Sequence, residues 1–402
     1  MKNIKIIGFG EGDIKTLTLG GLTAIKNAEQ IIASERIFDV LPKELLEGKE
    51  HFCESSPQKI IELINSSQRD ELAILVSGDT GFFSLARVIR SMENKILSSH
   101  TLELVPGISS FSYFLNKLQI SYEDCRHISL HGRSQSILSS VIHSKKLFGI
   151  TSGNDDLKYI HKVLTRNGYG ELEIFIGENL SYEDEKISRL RVKDIDKLSC
   201  SRLFVFLILN PSPKPYAHLE DEDFIRGNVP MTKSEIRLMA ISSLGITDNS
   251  IIYDIGAGTG SVATEIALNY PCSRVIAFEK EEDAVSLIKR NKEKFDCINL
   301  EIKNQIAPYG MDEPEPCDFA FIGGSGGNLT EILDGIFGRN PKARAVITAV
   351  SLETLSLALD YIKSNGIKSY DISEISVSKV KKLGSSDMLF ARNPIFIITM
   401  GG

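Results

Sequence analysis

The chain has 402 residues, more than one ordinary hydrophobic core organises, so two domains are expected. Its 42% hydrophobic and 25% charged content is that of a soluble globular protein, and a formal net charge of −7 argues against nucleic acid as a partner. Lys and Arg against Asp and Glu number 26 and 27 in residues 1–212 but 20 and 26 in residues 213–402, so the acidic excess lies in the second half.

The six cysteines are scattered, with no CxxC pair and no Cys/His ligand cluster, so neither a metal site nor a disulfide framework is expected. The start, MKNIKIIGFG, runs straight into a strand pattern and has no signal-peptide stretch. The longest apolar run, residues 203–209, is too short to span a bilayer. A cytoplasmic location with no membrane partner is expected.

From the N-terminus, strand-like runs at residues 4–7, 72–76, 102–105, 147–150, 172–176 and 203–209 alternate with helical stretches, which predicts α/β architecture. The segment NPSPKPY, residues 210–216, then places three prolines in seven residues ahead of the acidic stretch 220–223. It can continue neither strand nor helix, so the domain boundary is expected at 212/213. A second α/β series follows. Strands are expected at 251–254, 274–278, 318–322, 345–350 and 394–400, with helices at 261–269 and 282–295.

Two glycine loops stand out. IIYDIGAGTGSVATEIA ends a buried strand at Asp254, places Gly256, Gly258 and Gly260 in a turn, and opens a helix. Glycines permit the tight turn and close approach of a ligand, and the helix start offers unpaired N–H groups. The next strand ends in Glu279, where a carboxylate that grips ribose hydroxyls is expected. The pattern alone fits a dinucleotide fold or a class I methyltransferase. The other loop lies in IKIIGFGEGD and holds Gly8, Gly10 and Gly12.

Further blocks narrow the reading. VPMTKSEIR at 229–237, IGGSGGNLTEIL at 322–333 and SSDMLFARNP at 385–394 surround the C-terminal loop. Together they resemble the corrin-pathway methyltransferase that methylates carbon 15 of the macrocycle and decarboxylates the acetate on carbon 12. In the first half, the glycine loop, VSGDTGFFSLARVI at 76–89, VPGISSFSYFLNKLQI at 105–120 and SLHGR at 129–133 resemble the tetrapyrrole methylases, and within them the corrin methylase acting at carbon 5.

The resemblance implies an N-terminal two-lobed tetrapyrrole methylase fold over residues 1–212 and a C-terminal Rossmann-like class I S-adenosylmethionine (SAM) methyltransferase over residues 213–402. SAM is the implied cofactor, a corrin precursor the implied substrate, and a homo-oligomer the implied assembly. In the first domain the implied cofactor residues are Gly8, Gly10, Gly78, Asp79, Thr80, Ser109 and Ser110. The family's usual proline in the first loop is replaced here by Glu11.

In the second domain the implied cofactor residues are Thr232, Asp254, Gly256, Gly258, Gly260, Glu279, Ala307, Gly323 and Gly324. Before Ala307–Pro308 the chain reads Asn304, Gln305, Ile306 in place of the family's glycine and small or acidic residue, which puts the polar contact to adenine in question. The substrate's carboxylates imply cationic partners, for which His131, Arg133, Lys233, Arg237 and Arg392 are the candidates.

No residue is singled out as catalytic. All seven histidines lie at or before His218, ahead of every motif of the second domain, so no histidine base is expected there. Three rivals stay open: one domain decayed to a binding or regulatory module, an RNA methyltransferase in the acidic second half, and an NAD-dependent oxidoreductase.

Overall fold

In the computed structural model, which describes residues 1–130, 135–200 and 203–402, the chain forms two compact units. Among the described residues, the first unit holds the chain up to 130, 145–158 and 172–209, and the second holds 135–144, 159–171 and 210–402. The last crossing falls at 209/210, beside the proline-rich segment. The grouping of helix Ile137–Ile142 with the second unit is not linear in sequence, and its cause is specific. Ser136 Oγ and the Ile137 N–H donate to the Asp296 carboxylate at 2.9 and 3.1 Å, and Ser139 Oγ donates to the Leu268 carbonyl at 2.7 Å.

The first unit contains two five-stranded sheets. One is wholly parallel, in the order β3-β2-β4-β1-β5, from β1 (Lys2–Gly8), β2 (Gln30–Ala33), β3 (Glu50–Cys53), β4 (Glu71–Val76) and β5 (His100–Val105). A parallel strand covered on both faces reads as a continuous apolar run, and ELAILV in β4 is buried from Leu72 to Val76. The other sheet is mixed, in the order β6-β7-β10-β8-β9, from β6 (Cys125–Ser129), β7 (Lys146–Ile150), β8 (Glu173–Glu178), β9 (Lys186–Arg191) and β10 (Phe204–Leu209). Its centre is β10, antiparallel to both β7 and β8. Phe114, Phe148 and Leu207 fill the core beneath it.

The second unit is built on a seven-stranded sheet in the order β13-β12-β11-β14-β15-β19-β16. Its strands are β11 (Ile251–Ile255), β12 (Arg274–Phe278), β13 (Leu300–Lys303), β14 (Phe319–Ile322), β15 (Arg344–Ala349), β16 (Tyr370–Ile375) and β19 (Ile395–Gly401), with β17 (Ser378–Leu383) and β18 (Ser386–Ala391) forming a separate hairpin. Five strands are parallel, and β19 runs antiparallel to β15 and β16. The order reverses at β11/β14, the crevice where open α/β sheets bind ligands. These are the two-lobed and Rossmann-like architectures expected from the sequence. No helix among the described residues is long and apolar enough to cross a membrane.

Candidate functional site

Each unit carries a glycine-built pocket at the carboxyl ends of its parallel strands. In the first unit the chain leaves β1, β4 and β5 through turns that meet backbone to backbone. A Cβ on Gly8 would lie 2.6 Å from the Gly107 nitrogen, and one on Gly107 would lie 2.4 Å from the Gly78 carbonyl oxygen. Gly10 and Gly78, at φ +85° and +69°, exchange N–H···O bonds of 3.1 and 2.8 Å. Such φ values favour glycine. Gly107 belongs to this packing as firmly as Gly8, although the sequence singled out only the serines after it.

The Asp79 carboxylate pins the turns. Its Oδ2 accepts the Gly107 N–H at 2.9 Å and its Oδ1 the Gly81 N–H at 2.8 Å. Ser109 caps helix Ser110–Lys117, accepting the Ser112 N–H at 3.2 Å. Gly78, Asp79, Ser109 and Ser110 line a cleft of about 750 Å³, whose opposite wall includes Ile150, Gly177 and Val205 of the second lobe. Gly8, Gly10 and Thr80 are off the lining and act from behind it, Thr80 as a buried side chain. His131 and Arg133 lie outside the described residues.

Glu11 also lines this cleft. Burial pushes its carboxyl up to about 7, against the opposing pull of Arg36 and a backbone hydrogen bond from Ser110. From the sequence it was legible only as the residue standing where the family has proline. Beside it, Arg36 Nε donates to Tyr182 Oη at 2.5 Å, and a Cβ on Gly12 would lie 2.2 Å from the Tyr182 ring.

In the second unit Gly256, Gly258 and Gly260 all have positive φ, +68°, +57° and +74°. A Cβ on Gly256 would lie 2.3 Å from the Gly324 carbonyl oxygen, and one on Gly258 2.9 Å from that of Pro230. Gly260 is the N-cap of helix Ser261–Asn269. Thr232, Lys233, Gly256, Gly258, Glu279, Ala307, Gly323 and Gly324 all line one pocket of about 1050 Å³. Glu279 is held by backbone donors. Its Oε2 accepts the Gly258 N–H at 2.8 Å, and its Oε1 accepts the N–H groups of Lys280 and Glu281 at 2.8 and 3.1 Å.

The structure corrects three expectations in this unit. Asp254 does not reach the pocket: it is fully buried behind the loop, where its Oδ2 accepts the Ala263 N–H at 2.9 Å. Burial pushes its carboxyl up to about 7, and its Oδ1 is buried without a hydrogen-bond partner among the described residues. Arg237 does not face a substrate. It is fully buried, with Nε on Glu265 Oε2 at 2.7 Å, Nη1 on the Thr232 carbonyl at 2.8 Å and Nη2 on the Leu219 carbonyl. Arg392 is off the lining and paired with Glu235 at 2.8 Å, as is Lys379 at 2.5 Å. Burial opposes ionisation of Glu235, but the bond from Lys379 and the charge of Arg392 hold its carboxyl down at about 2.

Lys233 is the expected cation that stays at the pocket, with its ammonium 3.4 Å from Asp221. Asn304, its amide oriented to donate, reaches the carbonyls of Glu279 and Lys280 at 3.0 and 3.2 Å. The lining beside Ala307 is therefore supplied by Gln305 and Ile306, which the sequence placed in a segment of uncertain role.

Comparison with known proteins finds a different family in each half of the chain. Residues 3–196 match the family model of tetrapyrrole (corrin/porphyrin) methylases, and residues 223–400 that of the precorrin methyltransferase domain. A Salmonella typhimurium protein named cobalt-precorrin-6B C(15)-methyltransferase (decarboxylating) is 38% identical over 182 residues, covering 45% of this chain and 94% of its own. A Sulfurisphaera tokodaii protein named as a probable enzyme of the same kind is 39% identical over 188 residues, covering 45% and 95%. The crystal structure of precorrin-6Y C5,15-methyltransferase from Geobacter metallireducens is 32% identical over 46% of this chain and 99% of that one, with a TM-score of 0.44.

Proposed function

Because the chain belongs to the precorrin methyltransferases and carries a tetrapyrrole methylase half ahead of that domain, we propose that it methylates a corrin precursor at carbons 5 and 15 and decarboxylates the carbon 12 acetate, in cobalamin biosynthesis. The reading assigns carbon 5 to residues 1–212 and carbon 15 with the decarboxylation to residues 213–402. The observation that carries it is the pair of glycine-built pockets, one in each unit, whose glycine turns each fall within the span of a different methyltransferase family. Both are open and keep their glycine turns, which speaks against one half being a decayed module.

The residues of the second pocket fit SAM as methyl donor. Gly256 and Gly258 present backbone with no side chain in the way, and Glu279 places a carboxylate where a ribose diol is recognised. Ile306 and Ala307 offer an apolar surface to a flat base. The volume suits a ligand of that size together with the edge of a macrocycle. Bound there, the donor supplies an activated methyl group. The protein's part is to align it with an electron-rich ring carbon and exclude water, which is worth ~7–11 kcal/mol in favourable cases. Lys233, which lines the pocket along with Lys280, is the cation in the family motif offered to a substrate carboxylate.

Glu279 already accepts three backbone N–H groups, so a ribose would add about one charge-assisted bond, ~1.5–3 kcal/mol. Glu279→Ala is expected to raise the SAM KM of the carbon 15 reaction roughly tenfold or more with kcat little changed. An unchanged KM would leave Glu279 a cap for the turn that follows it.

Product analysis by mass spectrometry and NMR tests the assignment of halves to positions. Asp79→Ala releases the Gly107 and Gly81 N–H groups, and a misplacement of that kind costs on the order of 10²-fold. The carbon 5 methyl should be lost from the product of Asp79→Ala, and of Ser110→Ala in lesser degree, while the carbon 15 methyl is still introduced. The reverse pattern would exchange the two assignments.

A further inference from the structure

We propose that Glu11 is the proton acceptor of the first unit's methylation, taking the hydrogen that the ring carbon gives up as it gains a methyl group. This rests on the reading that residues 1–212 methylate carbon 5. A conjugated ring carbon that exchanges hydrogen for methyl must release a proton. As the methyl–sulfur bond breaks, its electron pair stays with sulfur, and a π pair of the macrocycle forms the new carbon–carbon bond. The C–H pair then returns to the ring as the proton passes to a Glu11 carboxylate oxygen.

The cleft narrows the choice of base. Among the described residues no histidine lines it, and its carboxylates are Glu11, Asp39, Asp79 and Asp184. Asp79 spends both oxygens on the Gly81 and Gly107 N–H groups. Asp39 and Asp184 are exposed, and Asp184 accepts the Asn179 amide at 2.7 Å. The Tyr182 hydroxyl is engaged by Arg36.

Glu11 differs from all of these. Its Oε1 sits over the strand-end floor, 3.1 Å from where a Cβ on Gly78 would be, between the paired turns of β1 and β4 and the start of helix Ser110–Lys117. Among the described residues, Arg36 and a Ser110 backbone donor oppose its desolvation. A base works best with a pKa near the operating pH, and burial brings this carboxyl to about 7. The charged groups facing it are Arg36 and Asp39 from helix Glu35–Val40, Asp79 from the turn after β4, and Asp184 beside Tyr182 before β9.

The test uses the full chain, with carbon 5 methylation followed at saturating SAM. Glu11→Gln keeps the shape and removes the base, and is expected to lower kcat by roughly 10²- to 10⁴-fold. In the wild type kcat/KM should fall toward acid with an apparent pKa of about 7, because the protonated carboxyl cannot accept, and the variant should lose this limb. With deuterium on carbon 5 the variant should show a larger isotope effect than the wild type, which a merely structural role would not produce. Glu11→Asp should recover part of the rate. In the ligand-free chain, infrared difference spectra should show protonated-carboxyl intensity that fades as pH rises through about 7, and Glu11→Gln should remove the Glu11 share of it while leaving that of Asp254. A Glu11→Gln variant with wild-type kcat and an intact acid limb would overturn the proposal and leave the carbon 5 reading standing. A wild type that never methylates carbon 5 would overturn that reading and the proposal with it.

Discussion

Gly256→Ala should abolish most carbon 15 methylation, by on the order of 10²-fold or more, while carbon 5 methylation by the same chain continues. The added Cβ would stand 2.3 Å from the Gly324 carbonyl oxygen and 2.8 Å from the Gly324 Cα and nitrogen. These are backbone atoms and cannot swing aside as a side-chain tip would. Alanine also resists φ +68°. The turn after β11 and the one after β14 must therefore separate, and both line the pocket. A displacement of about 1 Å at such a site costs roughly 10²-fold. Product mass spectrometry with both methyl positions resolved by NMR measures it. Undiminished carbon 15 methylation would show that the two turns give way without disturbing the site.

Arg237→Ala is expected to destabilise the second unit by ~3–5 kcal/mol, the cost of leaving a buried charge unpaired. Glu265 is fully buried and depends on the Arg237 Nε at 2.7 Å, with further donors from His218 Nδ1 at 3.1 Å and the Leu219 N–H at 3.4 Å. The guanidinium also closes the orphan carbonyls of Thr232 and Leu219 and lies 4.9 Å from the Phe224 ring centroid. Urea unfolding of the full chain, followed through a probe in the second unit, reads the loss. Replacing both partners by methionine should recover part of it, because neither charge is then stranded. A substrate-binding Arg237 would behave otherwise: stability would hold and the KM for the corrin precursor would rise.

The same two residues mark what a sequence reading reaches. Gly256 was legible because its requirement is local: a strand, a run of alternate glycines and a helix start within a few residues admit few conformations. The same locality made helix Ser261–Asn269 and strand Arg274–Phe278 readable to the residue. Short or edge strands were not, as with β2, whose four buried residues follow a helix without a turn signal, and β9, which is mostly exposed. Arg237 looked like a substrate cation because it sits in a distinctive motif, but its partner Glu265 lies 28 residues further on. No local pattern records which carboxylate will meet it.

The chain's residues and their order determined two α/β units, two glycine-built turns and the strand-end position of Glu279. Tertiary packing decided which side chains those turns expose. It put Asp254 behind its loop, where the Ala263 N–H reaches it, and gave Arg237 and Arg392 to carboxylates of the same unit. It made Gly107 as constrained as Gly8, through contact with the Gly78 carbonyl. It also set Glu11, partly buried, into a cleft, where desolvation pushes a residue that reads as an ordinary loop carboxylate up to about 7. The reason is common to the four charged residues. Burial and pairing depend on atoms that arrive from distant parts of the chain, and a carboxylate or guanidinium takes its charge state and its partners from them.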